Sequence, residues 1–140
     1  MNTKKIFTAL LLFSLILPTA FALDNDENVC AVYFTGIGCS HCAHTDPVVL
    51  DTMPKTSNLV VVEYEIYRDA VNSRLMAGYD DNYNTGFGVP LLIFNSEYLR
   101  GDTPIITQVK KTINEPGSNN CPLVDGTSSS FEDLDITTLP

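Results

Sequence analysis

The chain has 140 residues, of which 8 are Lys or Arg, 17 are Asp or Glu and 4 are Cys, and 44% of its side chains are hydrophobic. This length and composition fit one compact domain and exclude two or more full-sized domains. The formal net charge is −9, and it becomes −11 if an N-terminal targeting segment carrying Lys4 and Lys5 is removed. Such a surface repels phosphate backbones, so we expect no nucleic acid among the partners of this protein.

The N-terminal segment has the pattern of a secretory signal. A short basic start is followed by an almost wholly apolar run over residues 6–17, and Ala20-Phe21-Ala22 places small residues at the spacing that signal peptidase accepts. We therefore predict a signal peptide over residues 1–22, with an uncleaved anchor through residues 6–22 as the alternative. In both cases the basic start stays in the cytoplasm, which predicts an extracytoplasmic location for the rest of the chain: periplasm, cell surface or secreted.

The first half of the exported chain predicts a strand, a helix and a second strand. Val29 to Thr35 is a short β-prone run that ends at the turn residues Gly36-Ile37-Gly38. The stretch from Cys39 to about Met53 predicts a helix, which Pro47 should kink. Leu59 to Tyr67 is β-branched and aromatic and predicts the second strand. One face of that strand would carry Val60, Val62, Tyr64 and Ile66, and the other Val61, Glu63, Glu65 and Tyr67.

The second half predicts a helix and a hairpin. Asp69 to Ala77 is a short helix candidate, and a polar stretch from Asp80 to Gly88 follows it. The runs Leu91 to Phe94 and Tyr98 to Arg100 predict two strands, because Asn95-Ser96 between them can turn the chain back.

A last helix is expected to begin at Asp102 or Thr103, with Pro104 in its first turn. The resulting order, βαβ followed by ββα, predicts an α/β fold with a central mixed four-stranded sheet and helices on both faces. We assign this domain to residues 23–115 and expect a polar C-terminal tail or linker over residues 116–140, which contains Cys121. The apolar stripe of the last helix would be Ile105, Ile106, Val109 and Ile113.

The motif that predicts chemistry is Cys39-Ser40-His41-Cys42, which follows a strand and opens a helix. A helix N-terminus offers unpaired N–H groups and partial positive charge, and both favour a thiolate on Cys39. Cys42 would lie one turn further on, where it can attack a mixed disulfide and release the substrate. A protonated His41 would stabilise the thiolate further and push the couple toward the oxidising end, although an exposed His without effect is the alternative.

These residues resemble the thioredoxin-like superfamily. The resemblance rests on the Cys pair after a strand, on Pro47 where family members kink the active-site helix, and on Val89-Pro90 ahead of a strand. It implies a cis peptide bond at Pro90, which would face the Cys pair, and a backbone at Val89 that pairs with a substrate segment. An ordinary trans proline at the start of an edge strand is the alternative.

The motif is similar to the Cys-Pro-His-Cys of periplasmic disulfide oxidases and differs from the Cys-Gly-Pro-Cys of reducing thioredoxins. Ser40 departs from both, and Gly38 stands where thioredoxins commonly have Trp. Tyr33 occupies the strand position at which many thioredoxins bury an acid that takes the proton of the resolving cysteine. Another group must therefore accept that proton here.

The resemblance also bears on the remaining two cysteines. In the family's topology the last helix runs back toward the beginning of the first strand, so a structural disulfide between Cys30 and Cys121 is within reach. The chain-entropy model gives such a bridge about 4 to 5 kcal/mol, because it spans about 90 residues. A buried free Cys30 and a tail thiol are the alternative.

Together these features predict an exported thiol-disulfide oxidoreductase that needs no cofactor, with Cys39 and Cys42 as its redox pair. Its partners would be cysteine-containing exported proteins and a membrane redox partner that recharges the pair. The residues leave open whether it works as an oxidase, a reductase or an isomerase. The alternative is a module of the same fold without redox turnover, which binds a partner chain or holds copper(I) or zinc. The ligands for such a metal would be Cys39, His41, Cys42 and His44.

Overall fold

The computed structural model of the chain describes residues 28–135 and residue 137. The predicted signal peptide or anchor, residues 1–22, lies outside the described residues. None of the helices in the described part has the length and apolar character that a membrane span requires.

A mixed four-stranded sheet forms the centre of this α/β structure. Its strands are β1 (Val29–Thr35), β2 (Leu59–Glu65), β3 (Leu91–Ile93) and β4 (Tyr98–Arg100). Their order is β2-β1-β3-β4, with β1 parallel to β2 and antiparallel to β3. Every residue of β1 is buried, as its uninterrupted apolar sequence predicts for a central strand covered on both faces. The order of the elements along the chain, the hairpin and the mixed four-stranded sheet agree with the sequence prediction.

The helix predicted from Cys39 to about Met53 consists of three consecutive helical segments. These are α1 (Cys42–Asp46), a π-helical segment (Pro47–Thr52) and α2 (Met53–Thr56). Pro47 marks the change because it has no N–H to donate and its ring crowds the carbonyl four residues earlier. Beyond it the N–H of Met53 reaches back five residues to the carbonyl of Val48. The predicted disturbance at Pro47 is therefore a change of hydrogen-bond register, and the helix continues to Thr56 rather than to Met53.

Helix α3 (Ala70–Tyr83) is longer than the sequence suggests. Asp69 caps it by accepting from the N–H groups of Val71 and Asn72. The helix then continues through residues that the sequence assigns to a polar loop, because Tyr79 extends its buried face and Tyr83 packs beside Tyr79.

Helix α4 (Asp102–Ile113) begins one residue after its cap, Gly101. The expected cap at Asp102 or Thr103 is wrong: Gly101 has φ of +87°, a conformation that glycine tolerates and other residues avoid. Ile106, expected on the buried stripe, is 45% exposed, whereas Ile105, Val109 and Ile113 are buried as expected.

The two faces of the sheet carry separate hydrophobic clusters. One cluster joins alternate residues of β1, including Tyr33, to Val49 of the π-helical segment and to the buried side of α4. The other joins Phe34 of β1 to α3 through Met76 and Tyr79. Helices therefore cover both faces, as the βαβ and ββα order predicts.

The segment after α4 differs from the expected tail or linker. Residues 121–129 contain a small antiparallel pair, β5 (Cys121–Pro122) and β6 (Ser128–Ser129), followed by a 3-10 helix (Phe131–Asp133). The hydroxyl of Tyr79 donates to the carbonyl of Pro122 at 2.9 Å, so this hairpin packs on α3. Cys121 is buried and forms a disulfide with Cys30, with the two Cα atoms 4.6 Å apart.

Candidate functional site

Cys39 and Cys42 form a disulfide at the start of the helical segment that follows β1, with their Cα atoms 5.2 Å apart. The backbone N–H of Cys42 donates to the sulfur of Cys39 at 3.1 Å. Cys42 is 0% exposed, whereas Cys39 is half-buried. Cys42 is therefore closed to a partner molecule, and Cys39 is the residue of the pair that retains exposed surface.

The loop before Cys39 is held by a carboxylate that the sequence analysis did not single out. Glu65, the last residue of β2, accepts at 2.9 Å from the N–H groups of Ile37, Tyr67 and Arg68. These backbone donors, that of Ile37 above all, lower the pKa of Glu65 below its usual range. An ionised Glu65 thus ties the ends of β1 and β2 together beside the Cys pair.

The segment Val89-Pro90 is bonded to the residue that precedes α4. The Val89–Pro90 peptide bond is cis, Pro90 is buried and Val89 is half-buried. The carbonyl of Pro90 accepts from the N–H of Gly101 at 2.8 Å. Asp102 follows directly, so the β3–β4 hairpin carries the N-terminus of α4 to the Cys motif.

Two histidines of the motif region converge on Asp102. The Nδ1 atom of His41 lies 3.0 Å from Asp102 Oδ2, and the Nδ1 atom of His44 lies 3.5 Å from the same oxygen. The hydrogen bond from His41, followed by that from the N–H of Thr103, lowers the pKa of Asp102 to about 2. Asp102 is therefore a carboxylate at neutral pH, and it is the partner of the imidazole that the sequence analysis expected beside Cys39.

A hydroxyl–carboxylate network lies below Cys42. The hydroxyl of Tyr33 donates to Asp46 at 2.8 Å and lies 2.6 Å from the hydroxyl of Thr45. Burial is the main reason that the pKa of Tyr33 is raised far above its usual value. Thr45 in turn donates to the carbonyl of Cys42 at 3.1 Å. The strand position that carries Tyr33 thus has an acid as its neighbour, but Asp46 comes from α1, one turn after Cys42.

Exposed apolar side chains gather at the end of the sheet that carries the Cys pair. Ile37 follows β1, Tyr67 follows β2 and Phe87 precedes β3, and each is more than half exposed. Gly36 allows the Tyr67 ring to lie against the backbone there, since a Cβ at this position would come within 2.9 Å of ring atoms. Three exposed apolar side chains therefore lie at the end of the sheet that leads into Cys39, although the chain as a whole is acidic.

Comparison with protein-family models, with curated proteins and with solved structures finds no match to this chain. The site must be interpreted from its own geometry. Within residues 28–135, no group of three or more His, Cys, Asp and Glu side chains has the arrangement of a metal site.

Proposed function

We propose that the chain is an exported thiol-disulfide oxidoreductase of thioredoxin-like fold, which exchanges disulfides with cysteines of other exported proteins through Cys39 and Cys42. The unequal exposure of the two cysteines is the observation that carries this proposal. A disulfide between one half-buried cysteine and one fully buried cysteine directs an attacking thiolate to Cys39 and leaves Cys42 to resolve the mixed disulfide. The mixed sheet with helices on both faces is compatible with the fold named here.

The exchange proceeds in two displacements. A substrate thiolate attacks the Cys39 sulfur, the bond between Cys39 and Cys42 breaks, and its electron pair leaves on Cys42. A second substrate thiolate then attacks the substrate sulfur of the mixed disulfide, and Cys39 leaves as a thiolate. The substrate is oxidised by two electrons and the protein is reduced by two; the reverse sequence reduces a substrate disulfide.

Two features favour Cys39 as the leaving and attacking group. The N–H of Cys42 already points at its sulfur, and it would stabilise a thiolate there more than a thiol. His41 adds a second donor or positive charge close to the pair. Because both features stabilise the reduced form, we expect the couple to lie toward the oxidising end.

The surroundings of Cys39 suit a polypeptide substrate. Val89 and Pro90 would border the groove in which an extended substrate segment pairs with the backbone. Ile37, Tyr67 and Phe87 would contact apolar side chains that flank the substrate cysteine. A membrane redox partner would recharge the pair after each turnover.

Replacement of each cysteine tests this function. Cys39→Ser should abolish turnover of a dithiol or disulfide reporter peptide, whereas Cys42→Ser should accumulate a mixed disulfide that non-reducing electrophoresis detects. The double variant Cys30→Ala with Cys121→Ala is the matched control, because it removes a cysteine pair from the other end of β1 and should retain turnover. Circular dichroism establishes that each variant is folded. Full turnover by both Cys39→Ser and Cys42→Ser would contradict the proposal.

A further inference from the structure

We infer that Asp102 is a positioning residue of the redox site, which acts on Cys39 through His41. This inference rests on the proposed function, since it assigns Asp102 a part in the same disulfide exchange. Asp102 lies sixty-one positions from His41 along the chain, and the fold brings the two together at the junction of α1 and α4.

Backbone hydrogen bonds fix the position of Asp102, whereas the two imidazoles are more exposed. Oδ1 of Asp102 accepts from the N–H of Thr103 at 2.8 Å, and the N–H of the preceding Gly101 is bonded to Pro90. The side chain of Asp102 is 27% exposed, whereas those of His41 and His44 are each 67% exposed. Asp102 therefore sets the position of His41 more than the reverse.

The contact also selects a protonation form of the imidazole. An ionised carboxylate has no hydrogen to donate, so Nδ1 of His41 must donate its own hydrogen to Oδ2 across 3.0 Å. In neutral His41 this leaves Nε2 without a hydrogen and able to accept a proton. In the imidazolium form both nitrogens carry hydrogens, and the negative charge of Asp102 stabilises that form.

This arrangement gives a place for one of the protons that the exchange releases. Oxidation of two substrate thiols by the Cys39–Cys42 disulfide frees two protons along with the electron pair. One proton goes to Cys42, which becomes a thiol. The other goes to Nε2 of His41, while Cys39 remains a thiolate two residues before the imidazolium. Charge and atoms then balance, and Asp102 pairs its negative charge with the imidazolium.

Among the other charged groups around this junction, His44 shares Asp102, and the rest are bonded elsewhere. His44 of α1 shares the same oxygen of Asp102 but at 3.5 Å, so its contribution should be smaller. Glu65 of β2 is bonded to backbone N–H groups, including that of Ile37. Arg100 of β4 donates to the carbonyl of Gly86. Asp46 of α1 accepts from Tyr33 and Thr35 below the helix.

Two opposite effects of Asp102 on Cys39 make the inference testable. A carboxylate that acts directly would repel a thiolate, so its removal would lower the pKa of Cys39. A carboxylate that acts through His41 stabilises the imidazolium and hence the thiolate, so its removal would raise the pKa of Cys39. The sign of the change in Asp102→Asn therefore distinguishes the two.

The experiment is a pH titration of the Cys39 thiolate in the reduced full chain, followed by absorbance at 240 nm. Asp102→Asn should move the midpoint upward and reduce the ionisation constant of Cys39 by about two- to five-fold, the range of exposed charge pairs. The equilibrium with glutathione should move toward the disulfide by a similar factor. Asp102→Glu should restore part of both changes, and His44→Gln should change either one less than His41→Gln does.

The double variant His41→Gln with Asp102→Asn provides the decisive comparison. Without the imidazole, Asp102→Asn should leave the midpoint unchanged or lower it. A downward shift in the wild-type background, or the same upward shift without His41, would overturn the inference. Should Asp102→Asn fail to fold, nitrogen-15 shifts of His41 in the wild-type protein decide instead, since a hydrogen absent from Nδ1 excludes the contact. None of these readouts requires turnover, so they remain separate from the cysteine test of the proposed function.

Discussion

The disulfide between Cys30 and Cys121 should be the main covalent support of the fold, and its contribution can be calculated. The bridge closes a loop across a sequence separation of 91 residues, whereas the bridge between Cys39 and Cys42 spans 3. In the chain-entropy model, the long loop restricts the unfolded state by about 4 to 5 kcal/mol and the short one by about 2 kcal/mol. The double variant Cys30→Ala with Cys121→Ala should therefore lose more than twice as much stability as Cys39→Ala with Cys42→Ala.

Urea unfolding without reductant, followed by circular dichroism at 222 nm, measures this difference. An m-value of about 1 to 3 kcal/mol per M converts the expected loss into a midpoint shift of about 1.5 to 4.5 M. The Cys39 and Cys42 variant is a matched control, because it too removes two sulfurs and one of them, on Cys42, is fully buried. Equal losses in the two double variants would refute the loop-closure reasoning. Because the N–H of Cys30 donates to the carbonyl of Asn119, its hydrogen exchange should also accelerate in the variant without the long bridge.

Three further predictions concern the surroundings of the Cys pair. Tyr33→Phe removes a hydroxyl that Asp46 and Thr45 both contact, and should lower the free energy of unfolding in urea by about 1 to 3 kcal/mol. Tyr98→Phe, at an exposed tyrosine, should change it by less than about 0.5 kcal/mol. Equal losses in the two variants would contradict the hydrogen-bond network. Because backbone donors lower the pKa of Glu65 in the folded state, its contribution to stability is complete at neutral pH and is lost as the pH falls through the lowered value. Glu65→Gln should flatten this decline of stability with falling pH. Glu97→Gln, as a charge control, should leave the decline steep. Phe87→Ser should raise the KM for an apolar cysteine-containing peptide by about ten-fold, the lower end of the range for a lost apolar contact, without changing turnover of glutathione. The same rise for a small dithiol would count against a peptide-binding surface.

The sequence predicts the parts of the fold whose burial is local. The buried run of β1, the alternation in β2 and the hairpin of β3 and β4 each carry their signal within a few residues, and each is found in the sheet. Helix α3 illustrates the limit of such reasoning. Asp80, Asp81 and Asn82 look like a loop, yet the helix continues through them because Tyr79 and Tyr83 face the core and the C-terminal hairpin.

The residues of the candidate site also differ in whether the sequence can identify them. Cys39 and Cys42 can be identified because two cysteines three residues apart can form a disulfide without any other element of the fold. Asp46 and Glu65 are not recognisable, because their partners belong to other elements: Tyr33 of β1 for the first, and the loop at Ile37 for the second. In an acidic chain the sequence does not show which carboxylates have such partners. Only the fold shows which groups each of them contacts.

Asp102 is the clearest example of a residue that the sequence could not identify. The register between β3 and β4, rather than a sequence motif, places it beside His41. Leu91 of β3 pairs with Arg100 of β4, and this pairing places Gly101 where its N–H bonds to Pro90. A slip of one residue in the hairpin would reverse the faces of β4 and carry Asp102 away from His41. On the inference that Asp102 acts on Cys39 through His41, substitutions that loosen β4 should change the Cys39 thiolate even though they touch neither sulfur. Leu99 is the buried residue of β4, and its replacement by Ala should shift the titration of Cys39 in the direction that Asp102→Asn does.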